Sequence, residues 1–128
     1  MPRPKKVSID ARRIHRRVGC ALSARWSYAG AQEVGCVQNL SMSGFCLRTR
    51  SIHPPGFTAV FEIYDARDQV CVEARVTWAR EIQAESSAGL WHEMGLALAG
   101  DPPAPYQRLV LTSDIAGAVA ELEATPLN

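Results

Sequence analysis

Apolar and polar positions alternate along most of this chain with a period of two, in short runs broken by turn residues. Val18 to Tyr28 alternates up to a break at Ala29-Gly30. Glu33 to Gln38 forms a second run and Phe45 to Thr49 a third. His53-Pro54-Pro55-Gly56 is a strong turn signal. Phe57 to Tyr64 then puts Ala59, Phe61 and Ile63 on one side, and Val60, Glu62 and Tyr64 on the other. After a turn at Asp65-Ala66-Arg67-Asp68, Val70 to Trp78 places Val70, Val72, Ala74, Val76 and Trp78 on one face. A polar loop over 81–89 leads to a sixth strand, Leu90 to Leu98. Six closely spaced strands with turn-length connections predict an antiparallel barrel or sandwich.

Beyond Gly100-Asp101-Pro102-Pro103 the period changes. Thr112 or Ser113 caps a helix expected to begin near Asp114, with Ile115, Val119 and Leu122 along one stripe. Gly117 weakens that helix and Pro126 ends it. Tyr106 to Leu111 fits an earlier helical turn or extended chain equally well. The class is therefore all-β with a C-terminal helix. Three regions follow: a flexible basic tail over 1–11, a barrel domain over 12–100 and a C-terminal extension over 101–128.

A chain of 128 residues suits one domain with a single core, and its 47% hydrophobic and 21% charged content is that of a soluble globular protein. The net charge of +1 conceals an asymmetry: residues 1–17 carry +6, and the rest of the chain −5. The cationic character belongs to an N-terminal arm, which reads as a solvated tail or as the binding element for a nucleotide, nucleic acid or anionic surface. The chain shows no secretory signal and no apolar stretch near the roughly 18 residues of a membrane span, so a cytoplasmic setting is expected. Cys20, Cys36, Cys46 and Cys71 are too widely spaced for a zinc site. Three of them lie in apolar runs, where a reduced thiol behaves as a small buried hydrophobe. His15, His53 and His92 lack metal-ligand spacing. With no nucleophile turn, paired acids or phosphate loop, no catalytic reading and no cofactor is indicated.

Two segments carry candidate chemistry. Arg12-Arg13-Ile14-His15-Arg16-Arg17 offers four guanidinium groups, which suit bidentate contacts to phosphate and to the acceptor edge of guanine. Asn39-Leu40-Ser41-Met42-Ser43-Gly44 is a polar, small-residue turn between two apolar runs. In extended chain Asn39 and Ser41 point the same way and can fix a base or ribose, although both residues also commonly bond their own backbone. Gly44 permits a backbone conformation or a close approach that a Cβ would block. Together the two segments suggest a site for a compact, anionic, purine-containing ligand.

These segments resemble the signature of the PilZ domain family, small bacterial β-barrels that bind the second messenger cyclic di-GMP. Arg13-Ile14-His15-Arg16-Arg17 is similar to that family's Arg-x-x-x-Arg, and Asn39-Leu40-Ser41-Met42-Ser43-Gly44 to its Asp/Asn-x-Ser-x-x-Gly. Pro55-Gly56, Val76-Thr77-Trp78 and Met94-Gly95-Leu96-Ala97-Leu98 resemble its central turn, its strand ending in tryptophan and its last strand. Arg12 and Arg16 satisfy the first motif as well, so its register stays open, with Arg13 and Arg17 favoured because Val18 then begins the first strand. Phe45 departs from the family pattern, standing where many members have a second glycine.

The resemblance implies a six-stranded antiparallel β-barrel with a flexible basic arm, and a stand-alone cyclic di-GMP receptor. Arg12, Arg13, Arg16, Arg17, Asn39, Ser41, Gly44 and Trp78 are the implied ligand-binding residues. For Trp78 a place under a base competes with a place in the core, and Arg80 just beyond it is within reach of a phosphate. The receptor would change conformation to regulate a protein partner in motility, exopolysaccharide or biofilm control. The alternative is a PilZ-fold protein-interaction module that binds no nucleotide. A nucleic-acid partner is disfavoured, because the chain beyond residue 17 carries a net charge of −5.

Overall fold

The structure is a computed structural model that describes residues 17–66, 68–82 and 91–124, with the backbone only for 115–124. Six strands, β1 (Val18–Tyr28), β2 (Ala31–Ser41), β3 (Gly44–Thr49), β4 (Thr58–Tyr64), β5 (Gln69–Ile82) and β6 (Trp91–Leu98), close into a barrel in the order β1-β2-β3-β6-β5-β4. Every pairing is antiparallel. The barrel of the two sequence alternatives is the one formed, and the six expected runs are its strands.

The turns follow from local chemistry. Ala29 and Gly30 both take positive φ, 51° and 81°, as a two-residue hairpin with matching twist requires. At Pro54-Pro55-Gly56-Phe57 the Phe57 amide donates to the Pro54 carbonyl at 3.1 Å, with Gly56 at φ 99°. Proline followed by a left-handed glycine is the sequence of a type II turn.

The expected inward positions fill the barrel. Phe61 and Ile63 of β4 and Val70, Val72, Ala74 and Val76 of β5 are buried, beside Trp26, Val37, Leu40, Phe45, Leu47, Met94 and Leu96. Trp26 and Phe45 both pack against the Phe61 ring, with centroids 5.2 and 5.6 Å away. Burial of each such side chain contributes about 1.5–3 kcal/mol.

The strand β5 departs from strict alternation. A register irregularity between Val76 and Trp78 turns Trp78 outward, so the tryptophan read as sharing the Val70–Val76 face is 39% exposed while Val76 stays in the core. The cysteines also differ from the buried reading. All four are free, but only Cys46 is buried: Cys20 and Cys36 are half-buried, and Cys71 is exposed between Val70 and Val72, which take the core side.

The helix α1 (Ala104–Ala124) starts ten residues before the expected position. Pro105 stands in the first helical turn, which needs no amide donors, so proline is tolerated there. The Pro103 carbonyl accepts the Gln107 amide at 2.9 Å, and Thr112 and Ser113 lie within the helix rather than at its cap. Tyr106, Leu109 and Val110, at i, i+3 and i+4, join the barrel core. The side chains of Ile115, Val119 and Leu122, and Pro126, lie outside the described residues.

Candidate functional site

The turn of the second motif is the β2–β3 hairpin. Ser41 pairs with Gly44 across a two-residue turn of Met42 and Ser43. The Ser41 hydroxyl is fully buried, lies 3.1 Å from the Ser43 hydroxyl, accepts the Ser43 amide at 3.3 Å and donates to the Gly44 carbonyl at 3.4 Å. This is the turn chemistry that serines offer their own backbone. Gly44 is required by a close approach: a Cβ there would meet the Leu96 carbonyl oxygen of β6 at 1.9 Å. From inside, the Tyr106 hydroxyl of α1 lies 2.8 Å from the carbonyl oxygens of both Ser41 and Gly44, to which it donates. Burial pushes the Tyr106 phenol well above its ordinary range, so that donor stays protonated.

A row of neighbours crosses the outer face from this end of the barrel. Gly19 pairs with Asn39, Asn39 with Cys46, Cys46 with Gly95, and Gly95 with Trp78. At one end Arg17 Nη1 donates to Asn39 Oδ1 at 2.8 Å, joining the arginine motif to the turn motif across 22 residues. At the other end the Trp78 indole lies on the backbone of Gly95, where a Cβ would fall 2.0 Å from Nε1. Small residues thus make a flat strip between Arg17–Asn39 and Trp78. Burial raises the Cys46 thiol pKa at the middle of this strip, against the lowering pull of Arg17, Arg80 and Arg48.

The next row, Cys36–Arg48–Glu93–Arg80, holds two more guanidinium groups. Arg80 donates from Nε and Nη2 to Glu93 Oε1 at 3.0 and 2.7 Å, and Arg48 Nη2 to Glu93 Oε2 at 3.4 Å. The Arg80 guanidinium also stands 5.5 Å from the centre of the Trp78 ring. Hydrogen bonds from Arg80 and then Arg48 hold the Glu93 carboxyl below the usual carboxylate range, against its burial.

Of the sequence-predicted residues, Arg17, Asn39 and Trp78 share this face, with Ser41 and Gly44 at its hairpin end. Arg12, Arg13 and Arg16 lie outside the described residues, as does His15. Arg48 and Glu93 were missed; their outward alternation on β3 and β6 was the available signal, but 45 residues separate them. The opposite end of the barrel has a different character. There Glu33 Oε1 accepts the Trp26 indole at 2.8 Å and lies 2.5 Å from His53 Nε2, and the His53 ring stacks on Phe57 at 3.8 Å. A groove of about 490 Å³ lined by Arg25, Val34, Cys36, Arg50, Tyr64 and Trp91 opens on that half of the outer face, away from the hairpin. Among the described residues no helix is long and apolar enough to cross a membrane.

The family model described as PilZ domain matches residues 11–111. Comparison with curated proteins finds no match. Among solved structures, the fold is similar to the PilZ domain of YcgR from Escherichia coli, described with c-di-GMP. The TM-score is 0.73 at 12% identity, covering 89% of this chain and 99% of that one. It is similar also to the Bacillus subtilis inhibitor of motility MotI/DgrA, with a TM-score of 0.64 at 16% identity over 90% of this chain and 54% of that one. MrkH of K. pneumonia, described as a c-di-GMP-dependent transcription regulatory factor, gives 0.64 at 11% identity over 82% of this chain and 50% of that one. The chain spans about half the length of these last two proteins. The closed six-stranded barrel, Arg17 beside the hairpin motif on one face of it, and a match across residues 11–111 lead to one conclusion: this chain belongs to the PilZ domain family.

Proposed function

We propose that the chain is a cyclic di-GMP receptor that takes its ligand on the outer face beside the β2–β3 hairpin. The observation that carries this reading is the 2.8 Å hydrogen bond from Arg17, the last residue of the arginine motif, to Asn39 of the hairpin motif, at one end of a strip that reaches Trp78. Guanidinium groups match phosphate oxygens and the O6/N7 edge of guanine, and an exposed indole offers a stacking surface. Arg13 and Arg17, with Arg12 and Arg16, take the phosphates and the base edge. Asn39 hydrogen-bonds the guanine, Ser41 and Gly44 build the hairpin that presents it, and Trp78 lies under a base.

The protein is a binding module rather than an enzyme, and ligand binding changes its conformation to regulate a protein partner. A role in motility, exopolysaccharide or biofilm control is consistent with similar folds in YcgR, which is described with c-di-GMP, and MotI, described as an inhibitor of motility.

Calorimetric titration of the purified chain with cyclic di-GMP, beside GTP and cyclic di-AMP, tests the reading. Saturable binding of cyclic di-GMP alone, weakened at least about tenfold in Arg17→Ala and in Asn39→Ala, is expected when each loses one or more hydrogen bonds to a charged or base partner. No heat and no thermal stabilisation at high ligand would leave the barrel as a protein-interaction module.

A further inference from the structure

We infer that Arg48 is a further ligand contact of this site, and that Glu93 is a positioning residue that holds Arg48 and Arg80 as one ledge below the Asn39–Trp78 strip. The inference rests on the cyclic di-GMP reading and extends it to two residues outside both motifs.

The ledge is built, not incidental. Glu93 is only 8% exposed, and an unpaired carboxylate at that depth would be costly. It is compensated by three charge-assisted hydrogen bonds from two arginines on strands to either side of it. The arginine side chains themselves remain open, Arg48 at 44% and Arg80 at 66% exposure. A buried anion therefore anchors two exposed cations, and the group of three keeps a charge of +1 facing outward. Each guanidinium carries five N–H donors, so anchoring to Glu93 leaves donors to offer on the open side.

The neighbourhood fits a ligand with flat bases and more than one phosphate. Gly95 and Cys46 floor the strip without bulk, Trp78 walls it at one end and Arg17 at the other. Arg80 reaches both parts, bonded to Glu93 and with its guanidinium 5.5 Å from the centre of the Trp78 ring. Arg48 pairs with Glu93 one row over, on the same outward side as Cys46 two residues before it. A guanidinium fixed in orientation recognises a guanine O6/N7 edge, whereas a mobile one attracts any phosphate. Glu93 in this arrangement contributes discrimination for guanine as well as affinity.

The test is calorimetry on the full chain with cyclic di-GMP, cyclic di-AMP and GTP, using wild type, Arg17→Ala, Arg48→Ala and Glu93→Gln. Arg48→Ala is expected to weaken cyclic di-GMP about tenfold, the size of one charge-assisted hydrogen bond, while the folded chain melts within a few degrees of wild type because Arg80 still pairs Glu93. Glu93→Gln is expected to weaken it similarly while narrowing the preference over cyclic di-AMP and GTP. In an Arg48→Ala/Arg80→Ala background Glu93→Gln should then have no further effect on affinity, a cancellation that a purely structural role would not give. Should Glu93→Gln fail to fold, the exposed Arg48→Ala still reports on the ledge. Wild-type affinity in Arg48→Ala and Glu93→Gln, with Arg17→Ala impaired, would overturn the ledge and leave the receptor standing. A wild-type chain that binds no cyclic di-GMP would overturn both.

Discussion

The Trp78 indole rests on the bare backbone of Gly95, so closely that a Cβ at Gly95 would stand 2.0 Å from the indole nitrogen. A β-bulge turns the tryptophan out of the core, and the missing side chain opposite gives it a seat. Gly95→Ala must push the ring off that seat. Because the displaced group is a partly exposed side chain, the fold should lose less than about 1 kcal/mol. Cyclic di-GMP affinity should fall about tenfold, as expected from one weakened base-stacking contact. Tryptophan emission and calorimetry on the variant check this, and unchanged affinity with a shifted emission would remove Trp78 from the site.

Gly44 faces backbone instead, the Leu96 carbonyl at 1.9 Å from a built Cβ, and backbone cannot swing aside. Gly44→Ala should destabilise by about 3 kcal/mol, the upper part of the range for overpacking. Urea denaturation measures it. A cost below 1 kcal/mol would mean that β6 shifts freely at this point.

Tyr106 ties α1 to the same hairpin through the Ser41 and Gly44 carbonyls. Tyr106→Phe keeps the ring and removes only the donor, at an expected cost of about 1–2 kcal/mol. The loss should appear equally in helical and sheet signals of a denaturation curve, since one bond joins the two. Separate transitions would show that the helix folds independently of the barrel.

Glu93 makes stability depend on pH. Its folded pKa lies below the unfolded value of about 4.3, so its contribution is complete above that value and disappears as pH falls through the folded one. The stability advantage of wild type over Glu93→Gln should therefore be full at pH 6 and shrink toward pH 3. Glu62, held low by Tyr64 and Arg25, acts with the same sign in both proteins and cancels from the difference. Paired urea curves at the two pH values give the answer, and a constant difference would mean that Glu93 is unshifted.

The thiols should separate by reactivity. Burial and nearby Cys36 push Cys20 up to about 11, and Cys46 is raised and buried, whereas Cys71 is exposed. Near pH 8 a disulfide reagent should label Cys71 quickly, Cys20 much more slowly and Cys46 only on unfolding, because the thiolate is the reacting species. Labelling of Cys20 in the folded chain as fast as that of Cys71 would contradict its raised pKa.

Much of this was legible from local patterns. Alternation over Phe57–Tyr64 and Val70–Val76 set the inward faces, because successive strand residues point to opposite sides whatever their partners. Ala29-Gly30 and Pro54-Pro55-Gly56 placed turns through backbone conformations that few residues adopt. The Asn39–Gly44 motif marked the hairpin, and its glycine marked a close approach.

Other features arise only between distant segments. Closure in the order β1-β2-β3-β6-β5-β4 puts β3 beside β6 and so brings Arg48 to Glu93. The bulge that exposes Trp78 is a mismatch of two strands and has no trace in the alternation of one. Ser41 is buried by the hairpin end against which Tyr106 packs, and the start of α1 follows from docking of Tyr106, Leu109 and Val110 rather than from a capping residue. Sequence by itself determined most of the inward faces and where the chain turns, and singled out two motifs as candidates to bind. Tertiary structure decided which side chains meet, because period-two geometry is local, while neighbours across a barrel depend on the register between strands far apart in the chain.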